Sequence, residues 1–309
     1  MIQEIIENVE KVIIGKRQVI EYFLTAILSN GHILLEDIPG VGKTMLSRAM
    51  AISLGMSFKR IQCTPDLLPS DITGVSVFNQ KTQEFEFRPG PVFANLVLAD
   101  EINRATPRTQ SSLLECMEER QVTVEGVSIK LPRPFIVMAT QNPIEYEGVF
   151  PLPEAQLDRF LMKLSIGYPS YEDEMEIVKM QRLRHPIEEL RPVASLEEVL
   201  SLQEKIKEVY VDETIIQYIL DIVSATRRHS DIAVGSSPRG SLALYRTSQA
   251  LAYIRGRDYV LPDDVKELAP LVLSHRIILK SESYLRGYTQ RGVISSILAS
   301  VEVPVGKVK

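Results

Sequence analysis

Cysteine is scarce in this chain: Cys63 and Cys116 are the only two in 309 residues. Two thiols cannot build the bridged framework of a small secreted domain, so both read as small apolar fillers in a reducing compartment. No apolar run approaches the ~18 residues that a membrane span requires. The opening MIQEIIENVEKVIIGKRQ carries acids early and lacks the basic-then-apolar order of a secretory signal. Positive charge is not in excess: 35 Lys and Arg stand against 40 Asp and Glu, a net charge of −5. The molecule as a whole is therefore no electrostatic match for nucleic acid, which leaves room only for a local basic patch. Repeats and low-complexity tracts are absent, and only a short polar tail follows Pro304. These absences set the expectation of a soluble, cytoplasmic protein without a membrane span. What is present fits it: 45% apolar and 24% charged residues, enough to build a substantial core in one large or two smaller domains.

Apolar spacing organises the first half. From Arg17 to Asn30, Val19, Ile20, Phe23, Ile27 and Leu28 recur at helical intervals, and Gly31 ends the pattern. HILLE (32–36) predicts a short buried strand, and Lys43 to Leu54 a helix ended by Gly55. FKRIQ (58–62), NLVLADE (95–101) and FIVMATQN (135–142) predict further strands. Thr106-Pro107 reads as an N-cap and first-turn proline opening a helix through Met117. Buried strands alternating with helices predict a parallel α/β sheet. Two stretches break the alternation, GVSVFNQKTQEFEFRPG (74–90) and QVTVEGVSIKLP (121–132), and predict inserted β-hairpins. After GYPS (167–170) the character changes. Ser195-x-x-Glu198 is a capping box, and Asp212, Ser237-Pro238 and Leu261-Pro262 each precede helical runs. The expected division is an α/β core over 1–168 and an all-helical second domain over 169–309.

LLEDIPGVGKTML (34–46) lacks the first glycine of the phosphate-loop pattern G-x-x-x-x-G-K-[ST], and Asp37 stands in its place. That position is the farthest from the phosphates, so Asp37 there need not destroy the cradle. Gly40 and Gly42 allow the tight turn and close approach that a phosphate needs. Lys43 supplies charge, Thr44 a hydroxyl for Mg²⁺, and the following helix its N-terminal dipole. The alternative is a turn before a helix with a chance Gly-Lys-Thr; a strand before and a second motif downstream argue against it. That second motif is Asp100-Glu101, at the tip of an apolar strand, where parallel sheets bind ligands. Asp100 would hold Mg²⁺ through water and Glu101 would activate the attacking water. Taken alone, paired acids also fit a solvated turn. Asn142, ending the next strand, can orient water without competing for metal; before Pro143 it also suits a plain turn.

With these stretches, and with LADEINRATPRTQSSLLECMEE, VMATQNP, EGVFPLPEAQLDRF and SPRGSLAL in order, the chain resembles AAA+ ATPases and specifically the MoxR family. An acid before Ile/Val-Pro-Gly is common there, so Asp37 is a family feature. The resemblance implies a P-loop core with two inserted hairpins, a helical lid, and hydrolysis of ATP with Mg²⁺. It implies a Walker A segment spanning Asp37, Pro39, Gly40, Val41, Gly42, Lys43, Thr44 and Met45, and a Walker B pair, Asp100 and Glu101. It makes Asn142 sensor 1, Arg159 an arginine finger entering a neighbouring subunit, and Arg239 sensor 2, with Ile14 and Gly15 against adenine. Arg239 follows Ser237-Pro238 in a first helical turn, where a cation opposes the helix dipole by ~0.3–1 kcal/mol, a local misfit that points to a phosphate. Asp158 beside Arg159 offers a surface salt bridge as the alternative. Arg104 and Arg108, near the Walker B strand, suit either contacts between subunits or solvation of a helix start. The implied assembly is a homohexameric ring acting as a chaperone on other proteins, with von Willebrand factor A domain proteins as typical partners. A nucleic-acid motor and a metal-chelatase motor subunit are the alternatives. Acidic charge and absent aromatic–basic interleaving count against the first; the hairpins are shared with the second. A transcription-activator reading is weaker, because neither hairpin carries Gly-Ala-Phe-Thr-Gly-Ala.

Overall fold

The computed structural model describes residues 1–143, 148–180 and 186–304. The tail beyond Pro304 and Glu147, the first residue of EGVFPLPEAQLDRF, lie outside the described residues. Among the described residues nine strands precede residue 165: β1 (His32–Glu36), β2 (Phe58–Gln62), β3 (Gly74–Asn79), β4 (Glu84–Pro89), β5 (Leu96–Asp100), β6 (Gln121–Val124), β7 (Val127–Lys130), β8 (Ile136–Gln141) and β9 (Phe160–Leu164). Five of them form one sheet in the order β2-β5-β8-β1-β9. The pairs β2–β5, β5–β8 and β1–β8 are parallel. Every residue of β5 is buried, and so is all of β1 and β8 except the final position. Burial on both faces is why these strands read as continuous apolar runs.

Register brings four strand ends to one edge. Glu36 pairs with Gln141 and Gln62 with Asp100, while Leu96 of β5 pairs with Ile136 of β8. The residues that follow β1, β5 and β8 therefore leave the sheet side by side, at the carboxyl edge where parallel sheets bind ligands. His32 pins this arrangement from below. Its Nδ1 accepts the Val137 N–H at 2.9 Å and its Nε2 donates to the Met117 carbonyl at 3.0 Å. Full burial lowers its pKa to about 4, so the ring is neutral.

β3 and β4 pair as a hairpin with Phe78 opposite Phe85, and β6 and β7 pair around Glu125-Gly126. Both turn residues have positive φ, 51° and 82°, as a two-residue hairpin turn of the primed kind demands. Two points differ from the sequence expectation. Phe160–Leu164 is a strand that no expectation covered; Phe160, Met162 and Leu164 are buried in alternation, but five residues carry little period. The region after 169 is not purely helical, since Ile232–Val234 pairs antiparallel with Ile278–Leu279. Strands of two or three residues leave no readable alternation.

Contacts divide the chain into two compact units that interleave in sequence. The first comprises Met1–Ile20, His32–Leu152 and Leu164–Ser201; the second comprises Glu21–Gly31, Pro153–Lys163 and Leu202–Lys309. Within the second, helices Glu213–Arg228, Pro238–Ile254, Pro262–Leu273 and Gln290–Ser300 supply the core, through Ile222, Leu244, Leu268 and Ile294 among others. Asp212 caps the first of these helices and Ser237 the second, each accepting a backbone N–H. No helix of the described residues is long and apolar enough to cross a membrane.

Candidate nucleotide site

The glycine loop joins β1 to the helix Lys43–Ser53. Gly40 and Gly42 have φ of 86° and 89°, and a β-carbon added at either would meet nothing within 4 Å. Their conformation excludes most side chains, and the space before them is kept clear. Lys43 reaches back over the loop and donates from Nζ to the Asp37 carbonyl at 2.8 Å. A cavity of about 370 Å³ opens here, lined by Pro39, Gly40, Gly42, Lys43, Thr44, Met45, Arg60, Asp100, Glu101 and Asn142. Backbone donors, a helix N-terminus and an ammonium around one cavity make a cradle for phosphate.

Asp100 ends β5. Its Oδ1 accepts the Thr140 hydroxyl at 2.6 Å, and its Oδ2 accepts both Nε and Nη2 of Arg60, at 3.0 and 2.6 Å. Glu101 turns with φ 56°, a left-handed conformation uncommon outside glycine. Its N–H donates to Thr140 Oγ1 at 2.8 Å. Its Oε2 accepts the Gln62 amide at 2.9 Å and Arg104 Nη1 at 3.1 Å. Arg60 and Gln62, two apart on β2, thus face the two acids from the neighbouring strand. Sequence reasoning missed both. Their period-two spacing beside a strand was visible, but the register that sets them against Asp100 and Glu101 was not.

Buried Cys63 donates its backbone N–H to the Asp100 carbonyl at 2.9 Å. Burial, with Asp100 and Glu101 nearby, pushes its thiol up to about 12, so it is an inert filler.

A second cavity, about 400 Å³ and mostly apolar, adjoins the loop through Pro39, Gly40, Val41, Gly42 and Met45. Ile14, Ile166, Tyr168, Ile177 and Met180 line its other side. Ile14 is therefore at the cavity. Gly15 is not among its lining residues; with φ 68°, its α-carbon packs so closely on the Asp173 carboxylate that an added β-carbon would clash at 2.1 Å. Asp37 lines neither cavity. Its buried carboxylate accepts the N–H of Ile166, the N–H of Gly167 at 3.4 Å and the Ser165 hydroxyl at 3.2 Å. The acid that replaces the first glycine thus ties the phosphate loop to the wall of the apolar cavity. An apolar slot joined to an anion cradle has the chemistry of a nucleotide site.

Arg159 and Arg239 belong to the second compact unit. There the Asp158 carboxylate accepts Arg276 Nε at 2.8 Å, and Arg239 Nε lies 4.0 Å from its other oxygen. The Arg276 side chain is only 4% exposed and also donates to the carbonyls of Phe160, Leu161 and Val272. Burial lowers its pKa to about 10, against the pull of Asp158.

The profile of the ATPase family associated with various cellular activities (AAA) matches residues 32–162, and that of the AAA lid domain matches 224–294. The uncharacterized protein YeaC of Bacillus subtilis is 54% identical over 97% of this chain and 94% of its own. Chaperone MoxR1 of Mycobacterium tuberculosis is 44% identical over 98% of this chain and 82% of its own. A crystal structure of a protein assigned as an ATPase from Cytophaga hutchinsonii superposes with a TM-score of 0.91 at 42% identity, covering 98% of this chain and 95% of that one.

Proposed function

Because the chain belongs to the MoxR family of AAA+ ATPases, we propose that it couples ATP hydrolysis to remodelling or maturation of partner protein complexes. The observation that carries this reading is the convergence of Lys43, Thr44, Asp100, Glu101 and Asn142 on one cavity at the carboxyl edge of the sheet. The loop N–H groups and Lys43 hold the phosphates, while Ile14, Val41, Met45 and the wall at Ile166 take the base. The Thr44 hydroxyl and Asp100 carboxylate would hold Mg²⁺. This all-oxygen set, with few protein ligands, suits that ion, and no group of three or more His, Cys, Asp or Glu among the described residues offers a fuller cage. Magnesium, when bound, neutralises charge on the phosphate oxygens. Glu101 takes the proton of the attacking water, which Asn142 orients. An acid poised for water favours hydrolysis over transfer to a small acceptor.

The mechanical half of the proposal is a homohexameric cytoplasmic ring with a nucleotide-binding core (1–168) and a lid (169–309). Arg159 would reach the γ-phosphate of a neighbouring subunit, and Arg239 would follow the phosphates as the lid moves. The chaperone name of MoxR1 supports protein clients. Within the family resemblance, von Willebrand factor A domain proteins are the partners to test. Lys43→Ala should abolish nucleotide binding, since the loop loses its only cation. Glu101→Gln should bind ATP, fail to hydrolyse it, and hold its client through purification. Calorimetry, phosphate release and mass spectrometry of the co-purified material check these outcomes; ordinary turnover by Glu101→Gln would remove Glu101 from catalysis.

A further inference from the structure

Asp100 accepts three hydrogen bonds from two side chains. Thr140 occupies Oδ1, and the Arg60 fork closes on Oδ2 through two N–H groups at 3.0 and 2.6 Å. The two side chains differ in freedom: that of Asp100 is 13% exposed and that of Arg60 47%. Arg60 also lines the cavity that holds Lys43, Thr44 and Glu101. A hydrated divalent cation at Asp100 repels a guanidinium held at hydrogen-bond distance from the same carboxylate. A guanidinium does not deprotonate, so it yields only by swinging away. Nη2 of Arg60 also donates to Gln62 Oε1 at 2.6 Å, an exposed bond that the swing would exchange for one to solvent or phosphate, and the same cavity offers a destination where phosphate oxygens would lie.

We infer that Arg60 is a built-in counter-cation: it holds the Asp100 carboxylate in the metal-free protein and transfers to the nucleotide phosphates when a divalent cation takes its place. Arg60 thereby sets how strongly nucleotide binding depends on the metal. The inference rests on the reading of Asp100 as the magnesium-side carboxylate. It assigns Arg60 a role distinct from those of Lys43, which faces the loop carbonyl, and of Gln62 and Arg104, which hold Glu101.

The test compares Arg60→Gln and Arg60→Lys with wild type, after circular dichroism and thermal unfolding have matched their folds. The full chain is titrated with Mn²⁺ alone, followed by paramagnetic resonance, and with ADP in excess chelator, followed by calorimetry. Arg60→Gln should bind Mn²⁺ about tenfold more tightly without nucleotide, the low end of what one hydrogen bond to a charged group contributes, because the pair is half-exposed. It should bind metal-free ADP several-fold more weakly, and Arg60→Lys should fall between. Unchanged Mn²⁺ and ADP affinities in Arg60→Gln would overturn the proposal, as would a loss of both, which marks a merely structural pair. Asp100→Asn is the parallel arm. If it binds Mn²⁺ with ADP as well as wild type does, the metal reading of Asp100 fails and the inference with it. If it loses Mn²⁺ while Arg60→Gln changes nothing, only the Arg60 inference fails.

Discussion

Asp37 illustrates what a single position can hide. In sequence it is a missing glycine; in the fold its carboxylate takes N–H groups from Ile166 and Gly167, more than a hundred residues away. The loss of the glycine is tolerated because the strained turn falls at Gly40 and Gly42 instead. His32 makes a second residue-scale point, with a pH consequence. Its folded pKa of about 4 lies below the ordinary value of 6.5, because burial disfavours the charged ring. Between those values the unfolded chain binds a proton that the folded chain refuses, so stability falls with acidification, by up to ~1.4 kcal/mol per pH unit for this one group. Above about pH 6.5 this contribution is flat, and below about 4 it levels off. His275, buried beside Arg276 and likewise lowered, acts in the same direction. Urea unfolding at pH 7.5 and pH 5 should show the drop, and His32→Gln should lose part of it. Equal slopes in both proteins would clear His32.

Among the elements, the helix Pro107–Glu119 does more than cover the sheet. Thr106 caps its start, and Gln110, one turn in, is buried. The Gln110 amide donates to the carbonyls of Ile102, Ala105 and Phe150, at 3.2, 3.1 and 2.8 Å. It thus braces the turn that follows Glu101. Gln110→Leu removes the donor from the carbonyl of buried Ala105 and from that of Phe150, while Ile102 keeps the Ala105 N–H, a cost of ~1–3 kcal/mol. Thermal unfolding should register that loss. Hydrolysis should fall further than ADP affinity, because the turn positions Glu101 and not the phosphate loop. Equal losses in binding and turnover would mean a general collapse of the site. The start of this helix was legible, since Thr106-Pro107 is a local signal. The bracing was not, since the carbonyls that Gln110 serves come partly from Phe150, forty positions on.

For the whole molecule, the prediction concerns assembly. If Arg159 acts in a neighbour's site, no single subunit is complete, and specific activity should rise with protein concentration. Arg159→Ala should bind ATP nearly normally yet lose hydrolysis; such fingers are worth about 10³–10⁵ in rate in GTPases. Mixing Arg159→Ala with Lys43→Ala, each inactive alone, should restore partial activity, because a Lys43→Ala subunit still lends its Arg159. Full activity in Arg159→Ala alone rejects the finger, and mixed rings that stay dead count against single complete interfaces.

The sequence by itself determined what short stretches of backbone can settle. The glycine loop, the two hairpins, the caps at Thr106, Asp212 and Ser237, and the buried strands are each written within a few residues. Positive φ, period and capping are local properties, so they survive the loss of all other information. Asp100, Glu101 and Asn142 were legible for the same reason, each lying at the end of an apolar run. Only the tertiary structure decided the strand order, the interleaving of the two compact units, and the partners of the acids. Arg60 meets Asp100, and Gln62 meets Glu101, because β2 pairs with β5 in one particular register. A shift by one residue would turn both side chains to the opposite face. Charge pairing acts through space over a few ångströms, and that proximity exists only once packing has chosen which strands lie side by side.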